Sequence, residues 1–195
     1  MAVTAQMVKE LREMTGAGPL DCKNALEQFG GDMNKAAEYL RDKGLAKASK
    51  KVGRATNEGI IHVYLHHNHR LGVLLELNCE TDFVARTDDY KTLAHDLALH
   101  IAFAAPRYLE RSHVPEDVIE RERAIYRAQA LEEGKPERIL DRIIEGRMEK
   151  FFQEVCLMEQ PFVRDDDKII QDLVNDAVSK LGENIIVRRF VRYEL

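Results

Sequence analysis

Three groups of residues in this chain of 195 have types and spacing that could do chemistry. His66, His67 and His69 are imidazoles close together, and neutral imidazole binds zinc or nickel. No carboxylate or cysteine completes that set nearby, and adjacent strand residues point to opposite faces, so a polar hairpin tip accounts for them better. Asp165, Asp166 and Asp167 resemble a fragment of a calcium loop but lack its glycine and its distal bidentate glutamate. A charge cluster at a helix entry is the better reading of the triplet. Gly16-Ala17-Gly18 offers a GxG, yet no strand precedes it and no Gly-Lys-Ser/Thr follows. The chain is therefore not expected to bind nucleotide itself. No GxSxG elbow, HExxH or oriented Cys/His pair occurs, which leaves an enzymatic reading without a complete constellation.

Binding chemistry is concentrated in Glu80-Thr81-Asp82-Phe83-Val84-Ala85-Arg86. An aromatic ring and a carboxylate stand side by side at a turn between a strand and a helix. Such a ring either closes the core or anchors a partner protein, as aromatic residues presented on turns often do.

The elements that position this turn follow from periodicity. Thr4 is a suitable N-cap for a first helix with Val8 and Leu11 on one face. Thr15-Gly16-Ala17-Gly18 breaks it, and Pro19 suits the first turn of a second helix, where its missing N–H is not needed. Leu20, Leu26 and Phe29 supply that helix's apolar residues until Gly30-Gly31. Asp32 caps a third helix carrying Met33, Ala36, Ala37 and Leu40, with Gly44 as its stop. Residues 46–56 form a charged connection, the clearest hinge between domains. From Glu58 the period becomes two, with Ile61, Val63 and Leu65 on one strand and Leu71 to Cys79 on the next. His66 to Arg70 form the hairpin loop between them. Tyr90, Leu93, Ala94, Leu97, Ala98, Ile101 and Ala102 mark a helix ended by Pro106. Arg107 to Glu110 reads as a short strand. Further helices follow from Pro115 to about Glu133, from Ile139 to Val155 and from Ile169 to Leu181. A last strand runs from Ile185 to Tyr193. The fold class is α+β: an N-terminal three-helix domain, then antiparallel strands covered by helices.

The chain is 45% apolar and 32% charged, with a net charge of −5. No apolar run approaches the ~20 residues of a membrane helix, and the N-terminus lacks the apolar core of a signal peptide. Cys22, Cys79 and Cys156 are widely spaced, which suggests neither zinc nor disulfides and fits a reduced cytoplasm. Only Lys43 to Arg54 is locally basic. A solvated linker explains that run as well as RNA binding does, and no direct nucleic-acid contact is expected.

Val8 to Leu26 (VKELREMTGAGPLDCKNAL), the TDFVAR turn, Ile139 to Val163 (ILDRIIEGRMEKFFQEVCLMEQPFV) and the strand-like C-terminus resemble, in the same order, the elongation factor Ts family. The resemblance covers nearly the whole chain. It implies a cytoplasmic, non-enzymatic guanine-nucleotide exchange factor for elongation factor Tu, without a cofactor. Residues 1–45 look like the ubiquitin-associated-like three-helix domain that opens these proteins, 46–56 like a linker, and 57–195 like the α+β core. In the family, the matching Asp and Phe dock on the GTP-binding domain of elongation factor Tu and disturb its magnesium and phosphate region. The resemblance thus assigns partner contact to Thr81, Asp82, Phe83 and Val84, with Phe83 as wedge. Arg12, Pro19, Leu20 and Lys23 match the N-terminal face that contacts the same domain. This chain has Pro19 and Leu20 where the family often carries Met, and His69 where it often carries Gly. Leu20 fits packing inside a small domain equally well. Many relatives carry a second core copy and a coiled-coil insertion. This chain has room for one copy, which implies a homodimer and a 2:2 complex. A peptide-binding adaptor acting through residues 1–45 is the competing function.

Overall fold

The computed structural model describes residues 3–195; Met1 and Ala2, where the expected N-terminal domain begins, lie outside the described residues. The described residues divide into two compact units, one made of residues 3–63, 74–96 and 172–190, the other of 64–73, 97–171 and 191–195.

In the first unit, α1 (Ala5–Thr15), α2 (Pro19–Gln28) and α3 (Met33–Ser49) each start and stop on local chemistry. The Thr4 hydroxyl accepts from the Met7 N–H, and Asp32 accepts from the Asn34 and Lys35 N–H groups, meeting donors that a helix start leaves unpaired. Gly16, at φ +66°, closes α1 by donating its N–H to the Arg12 carbonyl. Leu11, Cys22, Ala25, Leu26, Ala36 and Leu40 form the shared core of the three helices. Across α2 and α3, the Lys43 and Lys47 ammonium groups donate to opposite oxygens of Asp21 at 2.9 and 3.0 Å. Gly44 does not stop α3, which continues to Ser49. A Cβ at Gly44 would lie 3.2 Å from the Ser179 hydroxyl, so glycine serves here as a place of close approach between helices.

A three-stranded sheet runs in the order β1 (Glu58–Leu65), β2 (Leu71–Cys79), β5 (Ile185–Glu194). His69 occupies the left-handed region at φ +57° in the β1–β2 connection, the conformation for which glycine is suited. The Leu195 N–H donates to the Arg70 carbonyl, so the end of β5 meets the start of β2 and the two strands are antiparallel. Leu75, Leu77 and Cys79 alternate into the core along β2. The following short α4 (Asp82–Ala85) leads to α5 (Asp88–Ala104), on which Tyr90, Leu93, Ala94, Leu97, Ala98, Ile101 and Ala102 are all buried, as their spacing requires.

The second unit is built on a helical hairpin, α6 (Glu116–Glu132) and α7 (Glu137–Val155). Leu140, Ile144, Met148, Phe151 and Val155 recur at three and four residues and line its core. Arg111 forms bonds to both Glu149 and Glu159 and lies over the Phe152 ring. Of Arg107 to Glu110, only Tyr108 forms a bridge, with Cys156. The Asp165–Asp167 triplet is not a helix entry. It lies in β4 (Asp165–Ile169), which pairs with β3 (Pro161–Phe162), and the helix α8 (Ile170–Leu181) starts after Ile169. A two-residue strand partner leaves no periodic signal, which is why the apolar pattern at Ile169 reads as helix.

Candidate functional site

β2 ends at Cys79 and α5 begins at Asp88, so the intervening turn must reverse the chain in eight residues. Thr81 is extended (φ −132°, ψ 155°) and caps the single helical turn of α4, its hydroxyl oxygen accepting from the Val84 N–H. Ala85 is buried beneath this turn. Residues two apart on a helix differ by about 200° in direction, so an inward Ala85 turns Phe83 outward. Phe83 is 79% exposed, which removes the core-closing reading. Asp82 is half-buried and accepts from Arg86 at 2.6 Å; Val84 is half-buried.

The base of the turn is held from far along the chain. Glu183 accepts the Glu80 N–H at 3.1 Å, the Thr81 N–H at 3.0 Å and the Thr81 hydroxyl at 2.6 Å. Glu80 returns the contact by accepting the Asn184 N–H at 2.7 Å. The Asn184 amide donates to the Arg54 carbonyl, and Lys51 donates to the Gly182 carbonyl. The buried Tyr90 hydroxyl donates to the Leu77 carbonyl at 2.6 Å, fixing the start of α5 on β2. The Cys79 thiol donates to the Thr81 carbonyl. Burial raises the pKa of both the Tyr90 hydroxyl and the Cys79 thiol, so each keeps its proton as a donor at neutral pH.

The N-terminal candidates lie in the same compact unit. Arg12 is exposed in the last turn of α1; Pro19 opens α2 and is exposed; Lys23 is exposed 3.7 Å from Glu27. Leu20 is 71% exposed, which excludes the packing alternative for it. The core side of α2 is instead Cys22, Ala25 and Leu26. Helix α8 serves both groups. Its Asp172 accepts from Arg41 of α3, its Lys180 pairs with Asp89 at the start of α5, and the residues that follow it clamp the turn.

His66 packs at a tilt against His67 and edge-to-face against Phe103, and shares a hydrogen bond with Tyr64. Among the described residues no group of three His, Cys, Asp or Glu side chains is arranged to hold a metal ion. Cys22, Cys79 and Cys156 are free and buried. In the basic run, Lys43 and Lys47 are engaged by Asp21, Lys51 by Gly182, and Arg54 lies 3.6 Å from Glu80. No described helix is long and apolar enough to cross a membrane.

The sequence model of the family described as Elongation factor TS matches residues 24–195. The chain is 58% identical over 193 residues to the elongation factor Ts of Carboxydothermus hydrogenoformans, covering 99% of this chain and 89% of that relative. It is 60% identical to that of Desulfitobacterium hafniense over 99% and 89% of the two chains, and 56% identical to that of Moorella thermoacetica over 99% and 95%. The chain belongs to the elongation factor Ts family. The sequence marks the Thr81–Val84 turn as a candidate but carries no signal for its contacts to Glu183 and Asn184 or for the Arg86 contact to Asp82. Glu183 is separated from Thr81 by 102 residues, and nothing local in Gly182-Glu183-Asn184 points back to the turn.

Proposed function

We propose that the Thr81–Val84 turn is the element through which this chain acts on elongation factor Tu, with Phe83 as its wedge and Asp82 placing it. As a member of the elongation factor Ts family, the chain is a guanine-nucleotide exchange factor of translation elongation. The observation that carries the site assignment is the exposure of Phe83 on a turn whose base is held by three hydrogen bonds to Glu183 rather than by burial of the ring. A rigid base with a free aromatic is the form of a binding anchor, since little must be ordered when it docks.

The mechanism follows from linkage. A partner that prefers the nucleotide-free shape of elongation factor Tu weakens its hold on GDP, and nucleotide weakens the partner's hold by the same factor. No bond is made or broken by this chain, so no catalytic acid, base or cofactor is required. Asp82 enters the contact already paired with Arg86, which limits its freedom before docking. Arg12, Pro19, Leu20 and Lys23 form a second contact on the same compact unit.

The domain division 1–45, 46–56 and 57–195, cytoplasmic location and homodimeric 2:2 assembly belong to this proposal. Ile61 and Val63, alternate residues of β1, are each 62% exposed, and such an apolar strand face favours a second copy as its cover. The test is release of a fluorescent GDP analogue from elongation factor Tu under excess unlabelled GDP. Catalytic amounts of this chain should accelerate release; no acceleration with a cognate partner refutes the proposal and favours a peptide-binding adaptor role for residues 1–45.

A further inference from the structure

We propose that Glu183 is a positioning residue for nucleotide exchange: it sets the Phe83 turn in its docking geometry before the partner arrives. The inference rests on the turn being the exchange contact. One Glu183 oxygen takes two consecutive backbone N–H groups, those of Glu80 and Thr81, and the other takes the Thr81 hydroxyl proton at 2.6 Å. Ordering that proton leaves a hydroxyl lone pair for the Val84 N–H, so the same carboxylate fixes the cap of α4. Glu80 reciprocates by accepting the Asn184 N–H, and the segments 80–81 and 183–184 thereby exchange carboxylates. Hydrogen bonds to ionised acceptors are about twice as strong as neutral ones.

A four-residue helical turn cannot hold itself in water, because helix nucleation is unfavourable. Without Glu183 the turn samples other shapes, and only the fraction with Phe83 correctly raised can dock. Apparent affinity falls by that fraction while the saturated rate does not. This separation of KM from kcat distinguishes positioning from general support of the fold.

The experiment measures GDP-analogue release from elongation factor Tu over a range of factor concentrations. It compares the wild-type chain with Glu183→Ala, Glu183→Gln and Phe83→Ala, each held well below its own melting temperature. Glu183→Ala should raise KM about tenfold with kcat within about twofold, and Glu183→Gln should fall between it and wild type. Amide hydrogen exchange at Thr81 should be faster in Glu183→Ala. An unchanged KM in Glu183→Ala beside an impaired Phe83→Ala overturns the role of Glu183 and leaves the wedge standing. Activity lost only in proportion to unfolded protein overturns it too, and so does wild-type kinetics in Phe83→Ala, which refutes the wedge with it. If Glu183→Ala does not fold, a wild-type KM in Glu183→Gln overturns the proposal.

Discussion

The Phe83 turn and the N-terminal face expose comparable side chains but are built on opposite principles. Leu20 stands on a ten-residue helix, α2, whose start, stop and inward side are set by residues within a few positions, with Asp21 joining it to Lys43 and Lys47. Phe83 stands on a single helical turn whose base is tied to Glu183, 102 residues away from Thr81. A local scaffold tolerates loss of one contact; a turn held from a distance depends on it. On the proposed function, the same difference should make Phe83 the stronger anchor, because it projects from a fixed base rather than lying along a helix surface.

Phe83→Ala should produce the largest change. Truncating a central aromatic anchor typically costs about 2 kcal/mol or more, so exchange should slow at least tenfold in kcat/KM. The ring is exposed, and the melting temperature should stay within about 1 °C. Equal loss of stability and exchange would return Phe83 to a packing role. Leu20→Ala should be weaker, about two- to fivefold in KM with no change in melting temperature, as for most contacts around an anchor. An effect equal to that of Phe83→Ala would erase the distinction between the two faces.

Asp21→Asn should alter exchange less than twofold and instead change acid stability. Hydrogen bonds from Lys43 and Lys47 hold the Asp21 carboxyl below its ordinary value of 3.8, so its folded pKa lies under the unfolded one. Its contribution is present above that value and is lost as pH falls through the folded pKa. Urea midpoints between about pH 5 and pH 2.5 should show this loss in the wild type and a shallower one in Asp21→Asn. The smallest effect on exchange, none, is expected from His100 in the second unit. Gln160 donates its amide to the Glu154 carbonyl and so presents its oxygen to His100 Nε2, which must carry the proton. Nδ1 is buried without a partner among the described residues, and burial lowers the His100 pKa below 6.5. Its NMR titration midpoint should fall below that value. Because the unfolded state takes up the proton first, stability should decline as pH falls below about 6.5.

The sequence made the helices legible because their signals are local: Thr4 and Asp32 as caps, Pro19 at a first turn, the three-and-four spacing on α5 and α7. Period two revealed β1 and β2. Gly44 misled because a glycine needed for approach to Ser179 looks the same as one that ends a helix. Asp165 to Asp167 misled because their strand pairs with only Pro161 and Phe162. At the site, the aromatic and carboxylate of the turn could be read from seven consecutive residues. Whether Phe83 and Leu20 faced solvent could not, since burial is decided by distant packing. Glu183 was illegible for the same reason, as a common residue in a short loop with its partners on another element.

Amide hydrogen exchange across the peptide spanning residues 80–87, with and without nucleotide-free elongation factor Tu, tests the central claim most directly. The account predicts slowed exchange in this peptide on complex formation and its reversal on addition of GDP. Complex formation that protects other peptides while leaving 80–87 unchanged would contradict it.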